Sequence, residues 1–439
     1  MELILTISAA MLLVIGSYFV IKLRAFYFFH PVKTIKSIPK DGIGQMLLSL
    51  GGTVGVGNIV GVAVAISIGS SGAVFWMWVG AFVAMAIKYA EIVLGMLYRG
   101  GAQIYIKKHI GSIAAWIFVC LLIIDSLVMG GIIQSSAVSE AIYCATGISP
   151  IVSGVFLSIL AAIVFFLRLD LFRLSSVVVP IMSVGYVLCA LAVIIFQAER
   201  IPEVMRQILE NAFKTDSAVG GIFGCILTPA LRQGIVKGLF SNEAGCGTAP
   251  MAHSTSAEKV PARQGLFGVF EVFVDTVVMC TLTAFALLLT GEAPYGGVLG
   301  CMTAFSGIFG DAAKPIIAIS VGLFAFSAII SFGYYGVQSV GFIFKNKSCK
   351  TVFLCTHCTM VFVGAILAPV IAWDIADIVV SLMLIINILA VFAGRKEVYS
   401  AHMALYSHMG KHSHKASSTP SFSCASIKNA MPMSDSEMN

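Results

Sequence analysis

Stretches of about twenty apolar residues recur along this chain, and each is long enough to cross the hydrocarbon core of a bilayer as a helix. Hydrophobic residues make up 59% of the 439 and charged residues only 11%, too little charge to cover a soluble protein of that size. Segments that satisfy their own backbone in lipid are helices, so the fold class is an all-α polytopic membrane protein. Eleven spans are expected, at 3–22, 43–66, 72–98, 113–136, 150–168, 175–196, 219–252 (interrupted), 264–290, 313–341, 351–372 and 374–393. The first carries Glu2 rather than a basic n-region, and no small-residue cleavage site precedes the basic stretch after it, so it is read as a span and not a signal peptide.

The formal net charge is +6, which in a soluble protein would suggest nucleic acid; its distribution says otherwise. Lys22, Arg24, Lys33, Lys36 and Lys40 follow span 1, and Arg99, Lys107 and Lys108 follow span 3. Arg168 and Arg173, Lys259 and Arg263, Lys345, Lys347 and Lys350, and Arg395 and Lys396 follow spans 5, 7, 9 and 11. The even-numbered loops hold only Arg200, Arg206, Lys214 and Lys314, mixed with acids. The positive-inside rule then places the N-terminus outside and the C-terminus in the cytoplasm of a cell-membrane protein.

Eleven cysteines lie scattered singly in apolar sequence, with no disulfide framework. Cys355-Thr-His-Cys358 has no second pair to complete a metal site and is read as helix packing. The Ser-rich stretch after Arg395, with His402, His408, His412 and His414, is read as a disordered cytoplasmic tail rather than a weak metal site.

"GGTVGVGNIVG" (51–61) resembles a dinucleotide loop, but the third glycine of G-x-G-x-x-G would fall on Val60 and no βαβ pattern surrounds it. Two readings remain. Gly51-x-x-x-Gly55 and Gly57-x-x-x-Gly61 have the spacing of a close helix-packing seam. Alternatively the span is broken at mid-membrane beside Thr53 and Asn58, leaving backbone groups that a ligand or ion must satisfy. A second glycine-punctuated stretch, "GLFSNEAGCGTA" (238–249), holds Ser241, Asn242 and Glu243 in apolar sequence five spans later. Paired breaks at that spacing match two five-helix repeats, spans 2–6 and 7–11, each opening on its broken helix, which is the 5+5 inverted repeat of leucine-transporter-like carriers. The broken-helix reading is therefore preferred. Its domains are an extra N-terminal helix with a basic loop (1–42), a first repeat (43–196), an extracellular connection (197–218), a second repeat (219–393) and the tail (394–439).

The stretches "VGVGNIVGVAVAI" (54–66), "GAVFWMWVGAFVAMAIKYAEIVLGMLYR" (72–99) and "GLFSNEAGCGTAPMAH" (238–253) closely resemble the alanine or glycine:cation symporter family. So do "GGIIQSSAV" (130–138), "VFVDTVVMCTLTA" (272–284) and "LFAFSAIISFGYYG" (323–336). The resemblance implies import of a small neutral amino acid with sodium or protons. It implies that Thr53, Gly55, Gly57 and Asn58 present the first break to the substrate carboxylate, where helix N-terminal amides favour an anion. It also implies that Gln134 holds the substrate and that Phe240, Ser241 and Asn242 meet its amino group and small side chain. Ser327 and Ser331, with the backbone of Val54 and Gly57, form the implied sodium site; no other cofactor is implied. Three features depart from the family: Val56 and Ala328 stand where it tends to place hydroxyls, and "GGAQIYIKKHIG" makes a short connection after Arg99.

Further charges lie within the spans. Lys88 and Glu91, three apart, are expected to pair on one helix face. Glu271 and Asp275, four apart, share a face; a proton carrier is an alternative there, and a hydrogen-bonded structural role is preferred. Asp125 lacks a family counterpart. The expected function is a symporter, with an amino-acid sensor derived from a transporter and a proton-coupled carrier as alternatives. An enzyme is not expected, since neither H-E-x-x-H nor a nucleophile–base pair is found.

Overall fold

A computed structural model describes residues 2–214, 228–291, 297–367 and 370–411. The secondary structure of these residues is helical throughout. The first helix, α1 (Glu2–Lys22), carries an acid in its first turn and a lysine in its last, matching the helix dipole. The second expected span is two helices, α2 (Ile43–Thr53) and α3 (Val60–Gly69), and the chain bends by 55° between them. Then follow α4 (Gly72–Tyr98), α5 (Ser112–Thr146), α6 (Pro150–Phe166) and α7 (Leu171–Phe196), the last opened by Asp170, which accepts from the Phe172 and Arg173 amides. The second break separates α8 (Pro229–Asn242) from the short α9 (Ala249–His253). The Thr228 hydroxyl caps the Leu231 amide at the start of α8. The chain continues as α10 (Pro261–Thr290), α11 (Ala313–Ile343), α12 (Lys347–Ile366), α13 (Val370–Ala393) and α14 (Arg395–Lys411).

Eight described helices are long and apolar enough to cross a membrane, nine when α2 and its continuation count as one span. The two expected spans missing from that number have simple causes: α6 has only 17 residues, and the second break divides its span into pieces too short to qualify alone. Residues 219–227 of that span lie outside the described residues.

At the centre stands α4, whose most apolar window is 89% buried; α8 and α10 pack on it. The ends of α2 and α8 at the breaks are buried, so their open backbone is shielded from lipid, while α7 and α12 present most of their surface outward. The extra helix α1 packs on α4 and α13. Two polar ties fix it: Ser8 donates to Ser381 at 3.2 Å, and Glu2 pairs with Arg232 at 3.1 Å.

The stretch from residue 394 was expected to be disordered, and its first part is not. Helix α14 folds back on the bundle, with the His402 ring 3.0 Å from Tyr89 Oη and 4.9 Å from the centre of Phe26. Burial pushes the His402 imidazole down to about 4, so it sits there neutral. Glu397 accepts from Tyr98 at 2.9 Å and lies 3.5 Å from His109. Burial alone would raise the Glu397 carboxyl, but the hydrogen bonds of His109 and Tyr98 outweigh it and hold the group below its usual range. A Ser- and His-rich composition hid the residues that dock this helix. His412 and His414 lie outside the described residues.

Candidate functional site

The two breaks meet, and Asp275 ties them together. After Thr53 the first break runs through an extended Gly55 into a single 3-10 turn, Val56–Asn58. Asn58 closes that turn on itself, its Oδ1 accepting from the Gly55 amide at 3.0 Å. Its Nδ2 donates to Asp275 Oδ1 at 2.8 Å. From the second break, Ser241 donates to Asp275 Oδ2 at 2.9 Å, and Thr276 donates to the same oxygen at 2.8 Å. One carboxylate thus takes donors from the first break and from the last turn of α8, where the second break begins, in a fully buried position.

Helix α10 makes this possible with a π-turn over Phe273–Cys280. A wider turn brings residues five apart closer to one face than an α-helix does, and such bulges collect at functional sites. Cys280 accordingly joins Asp275 at the breaks, 3.4 Å from Asn58 Nδ2 and 3.3 Å from Ser241 Oγ. A second π-turn, Val128–Ile133 in α5, immediately precedes Gln134. Gln134 Oε1 accepts from the Val56 amide at 3.2 Å. Its Nε2 is buried and without a partner.

The second break is held by its own side chains. The Asn242 amide donates to Thr276 Oγ1 at 3.0 Å and accepts from the Ala244 backbone at 3.0 Å. Glu243 adopts the left-handed conformation (φ 51°) and accepts from Thr248 at 2.6 Å; left-handed backbone is costly for a side chain other than Gly, Asn or Asp. Phe240 packs on Trp373, ring centres 5.2 Å apart, and Lys237 lies 5.1 Å from the Phe240 ring while pairing with Asp377 at 2.9 Å.

The expected ion pair within α4 is not formed. Lys88 instead pairs with Glu271 of α10 at 3.1 Å and donates to the Asn242 carbonyl at 2.8 Å. Glu271 also accepts from Ser49 at 2.8 Å, and the His253 ring lies 2.7 Å away with Gln264 at its other nitrogen. Glu91 turns to the second break, accepting from the Gly247 amide at 3.1 Å and from Asn387 at 2.9 Å. Glu271 and Asp275, read from the sequence as sharing a helix face in a hydrogen-bonded structural role, take part in separate hydrogen-bond sets. Helix spacing suggested Glu91 for Lys88, but partners from distant helices fill both residues' needs first. Asp125 is buried with Oδ1 unpartnered, and His357 in the Cys355–Cys358 stretch lies 3.0 Å from the Ile329 carbonyl. No group of three or more His, Cys, Asp or Glu side chains fit for a metal occurs among the described residues.

The two serines implied for sodium flank α2 rather than the turn after it. Ser331 donates to the Leu48 carbonyl at 2.7 Å, and Ser327 packs on Gly51 with its hydroxyl buried and unpartnered. Ala328 and Gln134 are the side chains that face Gly55. The glycines now separate by role. A methyl on Gly51 would run into Ser327 and come within 3.0 Å of Val179, and one on Gly55 would lie 3.2 Å from Gln134 Oε1, whereas at Gly61 nothing lies within 4 Å. Gly51→Ala should therefore lower the thermal midpoint, by overpacking worth about 1–3 kcal/mol. Gly61→Ala should be neutral or stabilising by up to about 1 kcal/mol. Equal shifts for the two variants in detergent would contradict this packing.

A buried bundle with two unwound segments joined at its centre defines a secondary transporter. The chain belongs to the sodium:alanine symporter family, whose profile matches residues 2–420. It is 34% identical to the amino-acid carrier protein AlsT of Bacillus subtilis, over 86% of this chain and 84% of that one. It is 32% identical to the probable sodium/glutamine symporter GlnT of the same organism, over 89% and 86%. It is 30% identical to the sodium/alanine symporter AgcS of Methanococcus maripaludis, over 78% and 79%. The fold is shared with the manganese transporter of Eremococcus coleocola, at a TM-score of 0.54 and 14% identity over 80% of this chain and 75% of that one.

Proposed function

We propose that this protein imports a small neutral amino acid, alanine or glycine, together with sodium, by alternating access across the cell membrane. The observation that carries the reading is Gln134: a buried amide beside the first break, one end on the Val56 N–H and the other a donor without an acceptor. A substrate carboxylate supplies that acceptor and takes over backbone N–H groups of the first break, between Thr53 and Asn58. Phe240, Ser241 and Asn242 line the amino-group side. The closeness of Gly55 to Gln134 and Ala328 supports a substrate with a very small side chain. The unpartnered Ser327 hydroxyl beside Gly51 supports sodium there, with Ser331 and the carbonyls at the end of α2 as the other oxygens. The eleven-span, 5+5 arrangement with an outside N-terminus belongs to this reading. A reporter fused after residue 400 tests the orientation and is expected to be active on the cytoplasmic side.

Liposomes holding the protein, under an inward sodium gradient and no pH gradient, should accumulate labelled alanine. Gln134→Ala should weaken alanine affinity by about 10- to 100-fold through the lost polar contacts. Accumulation that follows a pH gradient and ignores sodium would make protons the coupling ion. Binding without counterflow would make the protein a sensor, and uptake of leucine or glutamine in place of alanine would refute the size argument.

A further inference from the structure

The two broken helices differ at the place where a cation belongs. Where a half-helix ends inside a membrane protein, its last carbonyls lack helical partners and the dipole adds partial negative charge. In carriers built from such helices those ends coordinate the coupling ions. At the end of α8 the position is already filled. The Lys88 ammonium donates to the carbonyl of Asn242, the last residue of α8, at 2.8 Å. It is neutralised by Glu271 at 3.1 Å, both side chains wholly buried. Glu271 in turn is held by Ser49 and His253, so the ammonium has a fixed counter-charge and a fixed location. At the end of α2 the described side chain that donates to one of the last four carbonyls is a hydroxyl, Thr53 to Leu50, and Ser331 donates to the Leu48 carbonyl just before them. Ser327 stands beside them with its hydroxyl unpartnered.

We propose that Lys88 is a tethered cation occupying the second of two ion positions, so that a single coupling cation travels with each substrate molecule. The inference deepens the sodium-coupled reading and rests on it. An ammonium and a sodium ion carry the same charge and compete for the same carbonyl oxygens. The ammonium is covalently present in every state of the carrier, so it contributes to holding the second break without consuming the ion gradient. The coupling ion is left to the α2 end, where Ser327 and Ser331 offer neutral hydroxyl oxygens. Lys88 acts on the substrate through Asn242 and is a positioning residue.

The test is the power to which substrate accumulation follows sodium. With the membrane potential held at zero in liposomes, a tenfold inward sodium gradient should concentrate labelled alanine about tenfold if one ion is coupled, and about a hundredfold if two are. Tenfold is expected. A hundredfold would overturn the inference while leaving sodium coupling intact. No response to sodium would instead overturn the coupling reading itself. Lys88→Gln should open the position, with Glu271 still present to attract a mobile ion, and turn the sodium dependence of uptake from hyperbolic to sigmoidal. A folded Lys88→Gln carrier with an unchanged hyperbolic response would show that the lysine is only a structural tie. Should that variant fail to fold, the wild-type accumulation ratio decides alone.

Discussion

Glu271→Ala is expected to destabilise the protein by about 3–5 kcal/mol, the cost of leaving one member of a buried ion pair without its partner. Glu271 accepts from Lys88, Ser49 and the His253 ring, groups on three different helices. Its removal strands the Lys88 ammonium in a site with no exposure, and leaves the Ser49 hydroxyl with one acceptor fewer. The measurement is the thermal midpoint of the purified protein in detergent, followed by loss of the monodisperse peak. Glu271→Gln should cost less, because the amide oxygen still accepts from Lys88 or Ser49. The pair Lys88→Met with Glu271→Met should recover much of the loss, since replacing both charges by apolar groups of similar volume removes the stranded ion. A single alanine variant as heat-stable as the parent would mean that the network carries no weight.

The second large effect is on transport. Asp275→Ala removes the acceptor shared by Asn58 and Ser241, and with it the side-chain tie between the two breaks. Hydrogen bonds to a charged group contribute about 1.5–3 kcal/mol each, so alanine affinity should fall by about two orders of magnitude or more. Asp275→Asn should fall between the parent and the alanine variant. Its carbonyl can still accept from Asn58, and the hydroxyls of Ser241 and Thr276 can rotate to accept from its amide. The comparison is of KM for labelled alanine in liposomes, with protein integrity monitored by the same thermal assay. If both variants keep the parental KM, the two breaks are held together by something other than this carboxylate.

Much of this site could be read in the sequence because lipid makes it conspicuous. Glycines and polar residues stand out in spans that are otherwise apolar, which located both breaks, while Gln134 was singled out by the family resemblance. What could not be read was which residue meets which. Asp275 was visible as an acid, but its role depends on a π-turn that changes the phase of the helix after Val272, and no residue pattern in that segment announces it. Cys280 and Thr276 passed for ordinary span residues for the same reason. Lys88 was matched by spacing to Glu91, whereas the chain folds Glu271 against it from 183 positions later. Nor did the period of the apolar residues show that Gly61 faces open space while Gly51 is packed, since both obey the same small-residue spacing. Helix α14 escaped notice because its docking residues are polar and aromatic, Glu397 and His402, in sequence of a disordered character.

The ties that hold α1 have a consequence for how this protein is made. Ser8 finds Ser381 from 373 positions later in the chain, and Glu2 finds Arg232. Ribosomes add about 5–20 residues per second, so α1 waits tens of seconds for the helix it packs against. Throughout that interval Ser8 faces lipid or a provisional neighbour, and the seat of α1 against α4 lacks its far wall. Closure of this seat therefore falls to α13, made long after the helix it closes over.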